Sequence, residues 1–205
     1  MAIEGIDGCG KTTQAKFLVY RLRKNGYEAV YIQPIFALAG LICLGERSKN
    51  LISPRRARIS KGSNKNVIRA LRCLLGYLYA LTTYAFMRFY LSRNKIVICD
   101  RYFYQFFFDL FGSWSEKIVK FFPKPDITFF LDGDLDIFYS RMNSSFDKSV
   151  SRNYYVDALA FYRKLSKNCG FVQVDASLSR SIINDTILAH LENHLKKRRK
   201  EGDYE

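Results

Sequence analysis

Acidic residues are scarce in this chain. Nineteen Asp and Glu stand against 33 Lys and Arg in 205 residues, which leaves a formal charge of +14. A single anion-binding site does not need that much positive charge. Nucleic acid or an anionic membrane surface therefore stands as a secondary partner, beside plain solubility. Cysteine is equally uninformative as scaffold. The five residues (Cys9, Cys43, Cys73, Cys99, Cys169) are odd in number and scattered, which excludes a disulfide framework or a thiolate metal centre and suits reduced thiols in the cytoplasm. The only two histidines, His190 and His194, lie four apart on one helix. No acid or thiol is spaced to complete a metal site with them, so they read as surface residues. No internal repeat, secretory leader or composition shift is visible. With 48% hydrophobic and 16% aromatic residues, the chain reads as one packed domain spanning residues 1–205.

What is present is concentrated at the start. Gly5-Ile6-Asp7-Gly8-Cys9-Gly10-Lys11-Thr12 has the form G-x-x-x-x-G-K-T. Its glycines let backbone N–H groups close around phosphates, Lys11 reaches the β- and γ-phosphates, and the Thr12 hydroxyl can ligate Mg²⁺. The helix that follows sets its positive end behind the anion. Gly5, Asp7, Gly8, Cys9, Gly10, Lys11, Thr12 and Thr13 are thus the expected ATP-binding residues. Few residues precede the motif, so its strand either starts at Met1 or has a start further upstream.

Strand and helix signals then alternate, which predicts a parallel sheet covered on both faces. Strands are expected at 2–4, 28–33, 96–100, 126–131 and 171–174. Helices are expected at 11–24, 66–92, 134–141, 153–167 and 179–197. Residues 34–65 read as a long basic loop, 142–153 as a polar lid, and 196–205 as a frayed charged tail. The stretch Cys73–Leu91 carries one charge, Arg88, which raises the question of a membrane span. Tyr77, Tyr79, Thr82, Thr83 and Tyr84 put polar groups through its middle, and the topology needs a crossover here, so a buried helix is expected.

Ile96-Val97-Ile98-Cys99-Asp100 is an apolar run ending in a carboxylate, as a buried parallel strand delivers an acid to the sheet edge. Asp100 there can hold a metal shell or orient an attacking oxygen, and Arg101 can fork onto an acceptor phosphate. The aromatic run Tyr102 to Phe111 is read first as core, with ring stacking on an acceptor or a dimer face as alternatives. Asp109-Leu110-Phe111-Gly112 has a D-x-x-G form, but it follows no strand end and no N-K-x-D motif comes later.

These motifs carry a resemblance. Glu4 to Gln14 resembles the P-loop of thymidylate kinases (E-G-x-D-G-x-G-K-[ST]-T-Q). Asp100-Arg101-Tyr102 is similar to that family's D-R-[YF], and Pro125 to Asp132 to its P-D-x-x-x-x-L-D strand. The resemblance implies a three-layer P-loop kinase fold with a five-stranded parallel sheet and helices on both faces. It implies ATP as donor with Mg²⁺ held at Thr12 and Asp100. The acceptor, dTMP by family default, would be held by Asp7, Arg101 and Tyr102. Lys11, Asp100, Arg101 and a lid arginine, Arg141 or Arg152, would be catalytic, since Ile6, Gly8 and Cys9 put no basic residue in the loop. It also implies a homodimer. Two stretches depart from the family. Ile32-Gln33-Pro34-Ile35-Phe36 replaces an R-E-P-G loop, and the residues after Tyr102 are bulkier than the family's S-x-x-A-Y-Q stretch. Another acceptor (a nucleoside, sugar or other metabolite) and an ATP-dependent switch protein remain the alternatives.

Overall fold

In the computed structural model, residues 1–37, 65–142 and 150–202 are described. Most of the basic loop (38–64) and of the lid (143–149) lies outside them, as does the end of the tail (203–205).

Five short apolar segments pair into one parallel sheet: β1 (Ala2–Glu4), β2 (Ala29–Ile32), β3 (Ile96–Asp100), β4 (Thr128–Asp132) and β5 (Val172–Asp175), in the order β2-β3-β1-β4-β5. β1 and β4 are buried along their whole length, as strands flanked by other strands and covered on both faces must be. The helices are α1 (Lys11–Lys24), α2 (Pro34–Ala37), α3 (Lys65–Phe86), α4 (Tyr104–Phe111), α5 (Ser115–Phe121), α6 (Leu135–Arg141), α7 (Arg152–Cys169) and α8 (Arg180–Gly202). A π-helical turn, Met87–Leu91, continues α3. The tail expected to fray past Lys196 is helical to Gly202. β1 lies between β3 and β4, so the chain changes sides of the sheet beside it. Ligands of open α/β sheets bind in the crevice at such a switch, outside the carboxyl ends of the strands.

Helices α4 and α5 were not legible as helices. Tyr104–Phe111 is nearly all apolar, and its two polar residues, Gln105 and Asp109, stand four apart on one face, too few to announce a helix beside so many aromatic rings. Its aromatic rings, with Phe122, instead build the core: Phe103, Phe107 and Phe122 are at most 2% exposed. Phe103 and Phe107 meet Phe122 edge-on at 5.2 and 4.9 Å. The core reading of this run is thus the one the packing favours. Asp109 to Phe111 of the D-x-x-G stretch form the last turn of α4, with Gly112 as its cap, and Asp109 accepts a hydrogen bond from Tyr154 at 2.5 Å.

Helix α3 differs from the expected buried crossover. Its C-terminal half packs inward through Ala80 and Thr83, both 0% exposed. Its N-terminal half presents Val67, Ile68, Leu71, Leu74, Leu75 and Leu78 outward, each 47–73% exposed. Among the described residues no helix is long and apolar enough to cross a membrane.

Candidate active site

The sheet register builds the site. Ile3 of β1 is paired with Asp100 of β3, so the loop that leaves β1 at Gly5 rises directly beside the Asp100-Arg101 turn. Gly10, in the left-handed region, caps α1, whose first turn holds no acid. Lys11 is buried, and its Nζ lies inside the loop, donating to the Ile6 carbonyl and 3.7 Å from Cys9 Sγ. Burial pushes the Cys9 thiol up, against the pull of Lys11, so it stays protonated. Thr12 and Thr13 are exposed on the first turn of α1. At Gly8 the loop touches α6: with φ +82, an added Cβ would stand 2.1 Å from the Phe138 carbonyl oxygen. The helix that ends in Arg141 is thereby seated against the phosphate loop.

Asp100 is 2% exposed, and three donors converge on one of its oxygens. Thr12 Oγ1 (2.6 Å), Tyr31 OH (2.7 Å) and Gln33 Nε2 (3.0 Å) all reach Oδ2. Its other oxygen, Oδ1, is buried without a hydrogen-bond partner. Burial, then the Asp100 hydrogen bond and charge, push the Tyr31 phenol up, so it stays a donor. A buried carboxylate oxygen left open beside a hydroxyl is a fitting donor set for a hard divalent cation. Among the described residues no group of three His, Cys, Asp or Glu is assembled for a metal. A cation here would therefore need phosphate oxygens or water to complete its shell, which is how Mg²⁺ binds beside nucleotides.

Arg101 is the one non-glycine residue with positive φ (64°) among those described. A left-handed arginine is costly and persists only when its surroundings hold it. Here its N–H donates to the Ile3 carbonyl at 3.1 Å, and its guanidinium pairs with Asp7, whose side chain is 7% exposed against 33% for Arg101. Behind them Glu4 is fully buried. It accepts from the Tyr102 N–H and, at 2.9 Å, from the Tyr162 hydroxyl. Desolvation pushes Glu4 up to about 7, in spite of those two donors and the nearby Lys11 and Arg101.

The remaining sequence candidates lie further out. Arg141 is exposed and donates to the Ala176 carbonyl at 3.1 Å, while Arg152 pairs with Asp136 of α6 on the surface. The Tyr102 ring is turned into the core, its hydroxyl donating to the Pro123 carbonyl at 2.8 Å. That phenol faces away from Asp7 and Arg101 because the aromatic core claims the ring. Gln14, part of the opening motif, bridges α1 to α8 through Arg180 and Asn184. His190 is exposed with its ring near Phe129, and His194 is half-buried.

Sequence reasoning missed Tyr31, Gln33 and Glu4 as members of the site. The first two were legible only as a strand end. Tyr31 of β2 and Gln33, the residue just past its end, are two apart and share one side, so both reach Asp100 of β3. Glu4 was read only as part of a motif, yet a carboxylate in a strand of otherwise apolar residues was itself a signal.

A protein-family model described as thymidylate kinase matches residues 3–36. A probable thymidylate kinase of Thermococcus onnurineus is 30% identical over 215 residues, covering 97% of this chain and 99% of the relative. One of Sulfurisphaera tokodaii is 28% identical over 186 residues, 86% of each chain. One of Pyrococcus horikoshii is 33% identical over 141 residues, covering 64% of this chain and 63% of the relative.

Proposed function

The chain belongs to the thymidylate kinase family, and from that premise we propose that it transfers the γ-phosphoryl group of ATP to dTMP, giving dTDP and ADP. One observation carries the reading. The register of β1 against β3 brings the phosphate loop, with its buried lysine, beside Asp100, whose Oδ1 has no hydrogen-bond partner, and beside the Arg101–Asp7 pair. Little covalent chemistry is asked of the protein in phosphoryl transfer; positioning and charge neutralisation do most of the work.

In this reading the loop from Gly5 to Thr13 holds the triphosphate, and Lys11 Nζ exchanges the Ile6 carbonyl for phosphate oxygen. Thr12 Oγ1 and Asp100 Oδ1 would hold Mg²⁺, which would supply positive charge to neutralise that developing on the phosphates. Arg101 grips the acceptor phosphate, and Asp7, through which Arg101 is oriented, lies where an acceptor sugar hydroxyl would be met. Arg141 or Arg152 supplies the transition-state charge from the lid. The seating of α6 against Gly8 favours Arg141, because the last turn of that helix already touches the phosphate loop.

A homodimer is part of the same proposal. Six apolar side chains of α3, from Val67 to Leu78, form an outward stripe at helical spacing, and such a patch marks an interface. A cytoplasmic setting accords with the free thiols of Cys9, Cys73, Cys99 and Cys169. The deciding experiment is an acceptor panel: ADP release from ATP measured with each nucleoside monophosphate and nucleoside in turn. dTMP-dependent turnover is expected. Turnover with only a nucleoside or sugar would reassign the acceptor, and acceptor-independent hydrolysis would favour an ATP-driven switch. In that last case, salt-dependent binding to nucleic acid or anionic vesicles would point to the basic surface as its output.

A further inference from the structure

We infer that Glu4 is a positioning residue for the acceptor side of the reaction: it fixes the peptide that follows Arg101 and so holds that arginine in its left-handed conformation, aimed at Asp7. This inference rests on the assignment of Arg101 to the acceptor phosphate.

Two features here are costly to the folded chain. A carboxylate with no exposure at the end of an apolar strand is expensive to bury. A non-glycine residue at φ 64° is also strained. The two are joined by one hydrogen bond, in which the N–H of Tyr102, the residue after Arg101, donates to Glu4 Oε1. On the other side, the Arg101 N–H donates to the Ile3 carbonyl. The Arg101 backbone is thus clamped at both flanking peptides by consecutive residues of β1, one through a carbonyl and one through a side chain. The Tyr162 hydroxyl of α7 donates to Glu4 Oε2 at 2.9 Å and fixes the carboxylate rotamer. The phosphate loop leaves the strand at the very next residue, Gly5. One side chain therefore ties the donor loop's root to the acceptor arginine's turn. An isoleucine or valine here would fill the space but leave the Tyr102 N–H unpaired in the core, a loss that the left-handed turn would not tolerate.

The test is Glu4→Leu, which keeps volume and removes the acceptor oxygens, beside Glu4→Gln, which keeps one. Glu4→Leu should raise the KM for dTMP about tenfold while changing the KM for ATP by less than about threefold. Glu4→Gln should recover most of that loss. In an Arg101→Ala background, Glu4→Leu should add little, because both act through the same guanidinium. Equal losses for the two substrates, or a Glu4→Leu effect that persists undiminished without Arg101, would overturn the inference. If Glu4→Leu does not fold, Tyr162→Phe serves instead: a selective rise in the dTMP KM supports the role, and an unchanged KM refutes it. Should Arg101→Ala itself leave dTMP binding intact, the acceptor assignment is what fails. If Arg101→Ala weakens dTMP but the Glu4 variants do not, only the role of Glu4 fails.

Discussion

Replacing Gly8 by alanine would place a methyl group 2.1 Å from the Phe138 carbonyl oxygen, with 2.9 Å to the carbonyl carbon and 3.3 Å to Met142 Cγ. The first two are backbone atoms of α6, so no side-chain rotation relieves the contact. The residue also sits at φ +82, where an L side chain costs about 1–2 kcal/mol. Gly10 supplies the internal control. Its φ is +99, yet an added Cβ meets nothing within 4 Å. Gly10→Ala should therefore lose only the conformational part, about 1–2 kcal/mol. Gly8→Ala should lose that and a further 1–3 kcal/mol or so from overpacking. Urea unfolding of the two variants and the parent, followed by linear extrapolation, reads the difference directly. Relieving the clash must also shift the last turn of α6, so Gly8→Ala should reduce kcat more than Gly10→Ala. Equal stabilities for the two variants, within about 0.5 kcal/mol, would refute the claim that the phosphate loop is seated on α6.

Three further outcomes follow from the site. Glu4 is pushed from 4.5 to about 7, so across that window the folded state keeps a proton that the unfolded chain has released. Stability contributed by this group therefore falls as pH rises from about 4.5 to 7, by about 3 kcal/mol in all. The difference between Glu4→Gln and the parent in urea midpoint should trace that fall, and a pH-independent difference would count against it. Tyr31→Phe removes one of three donors to Asp100 Oδ2 and should weaken Mg²⁺ binding about fivefold (about 1 kcal/mol), measured by Mg²⁺ titration of ATP-dependent thermal protection; unchanged Mg²⁺ affinity would show that this bond does not orient the carboxylate. Of Arg141→Ala and Arg152→Ala, the lid arginine's variant should lower kcat about 100-fold or more with little change in KM. Steady-state kinetics showing only KM effects for both would remove the lid role.

The fold and the phosphate machinery were legible because both are local in sequence. The strand-loop-helix order around Lys11 and the Ile-Val-Ile-Cys-Asp strand each declare themselves in fewer than a dozen residues. The five strands could be located from apolar runs, but their order, β2-β3-β1-β4-β5, is set by contacts between segments far apart in sequence and is seen only in the structure. What was not legible depends on register. Tyr31 and Gln33 reach Asp100 only because β2 pairs with β3 in the frame that sets Ile32 opposite Cys99. The contact of Gly8 with Phe138 joins residues 130 positions apart, and the clamp of Glu4 on Tyr102 spans 98. The aromatic run after Arg101 hid a helix because eight residues with only two polar ones, Gln105 and Asp109, give a period too short to be told from a buried strand or core segment. Helix α3 misled in the opposite sense: its near-continuous apolar sequence read as wholly buried, whereas half of its length turns an apolar stripe outward.

The proposed reaction requires two anion-holding stations facing one another across Asp100. A single molecule joining adenosine and thymidine through five phosphates would occupy both at once. Calorimetric titration of the parent with Mg²⁺ present should show it binding at least about 100-fold more tightly than ATP or dTMP alone. Lys11→Ala and Arg101→Ala should each remove most of that gain. Binding no tighter than that of ATP, and unaffected by loss of Arg101, would contradict the arrangement.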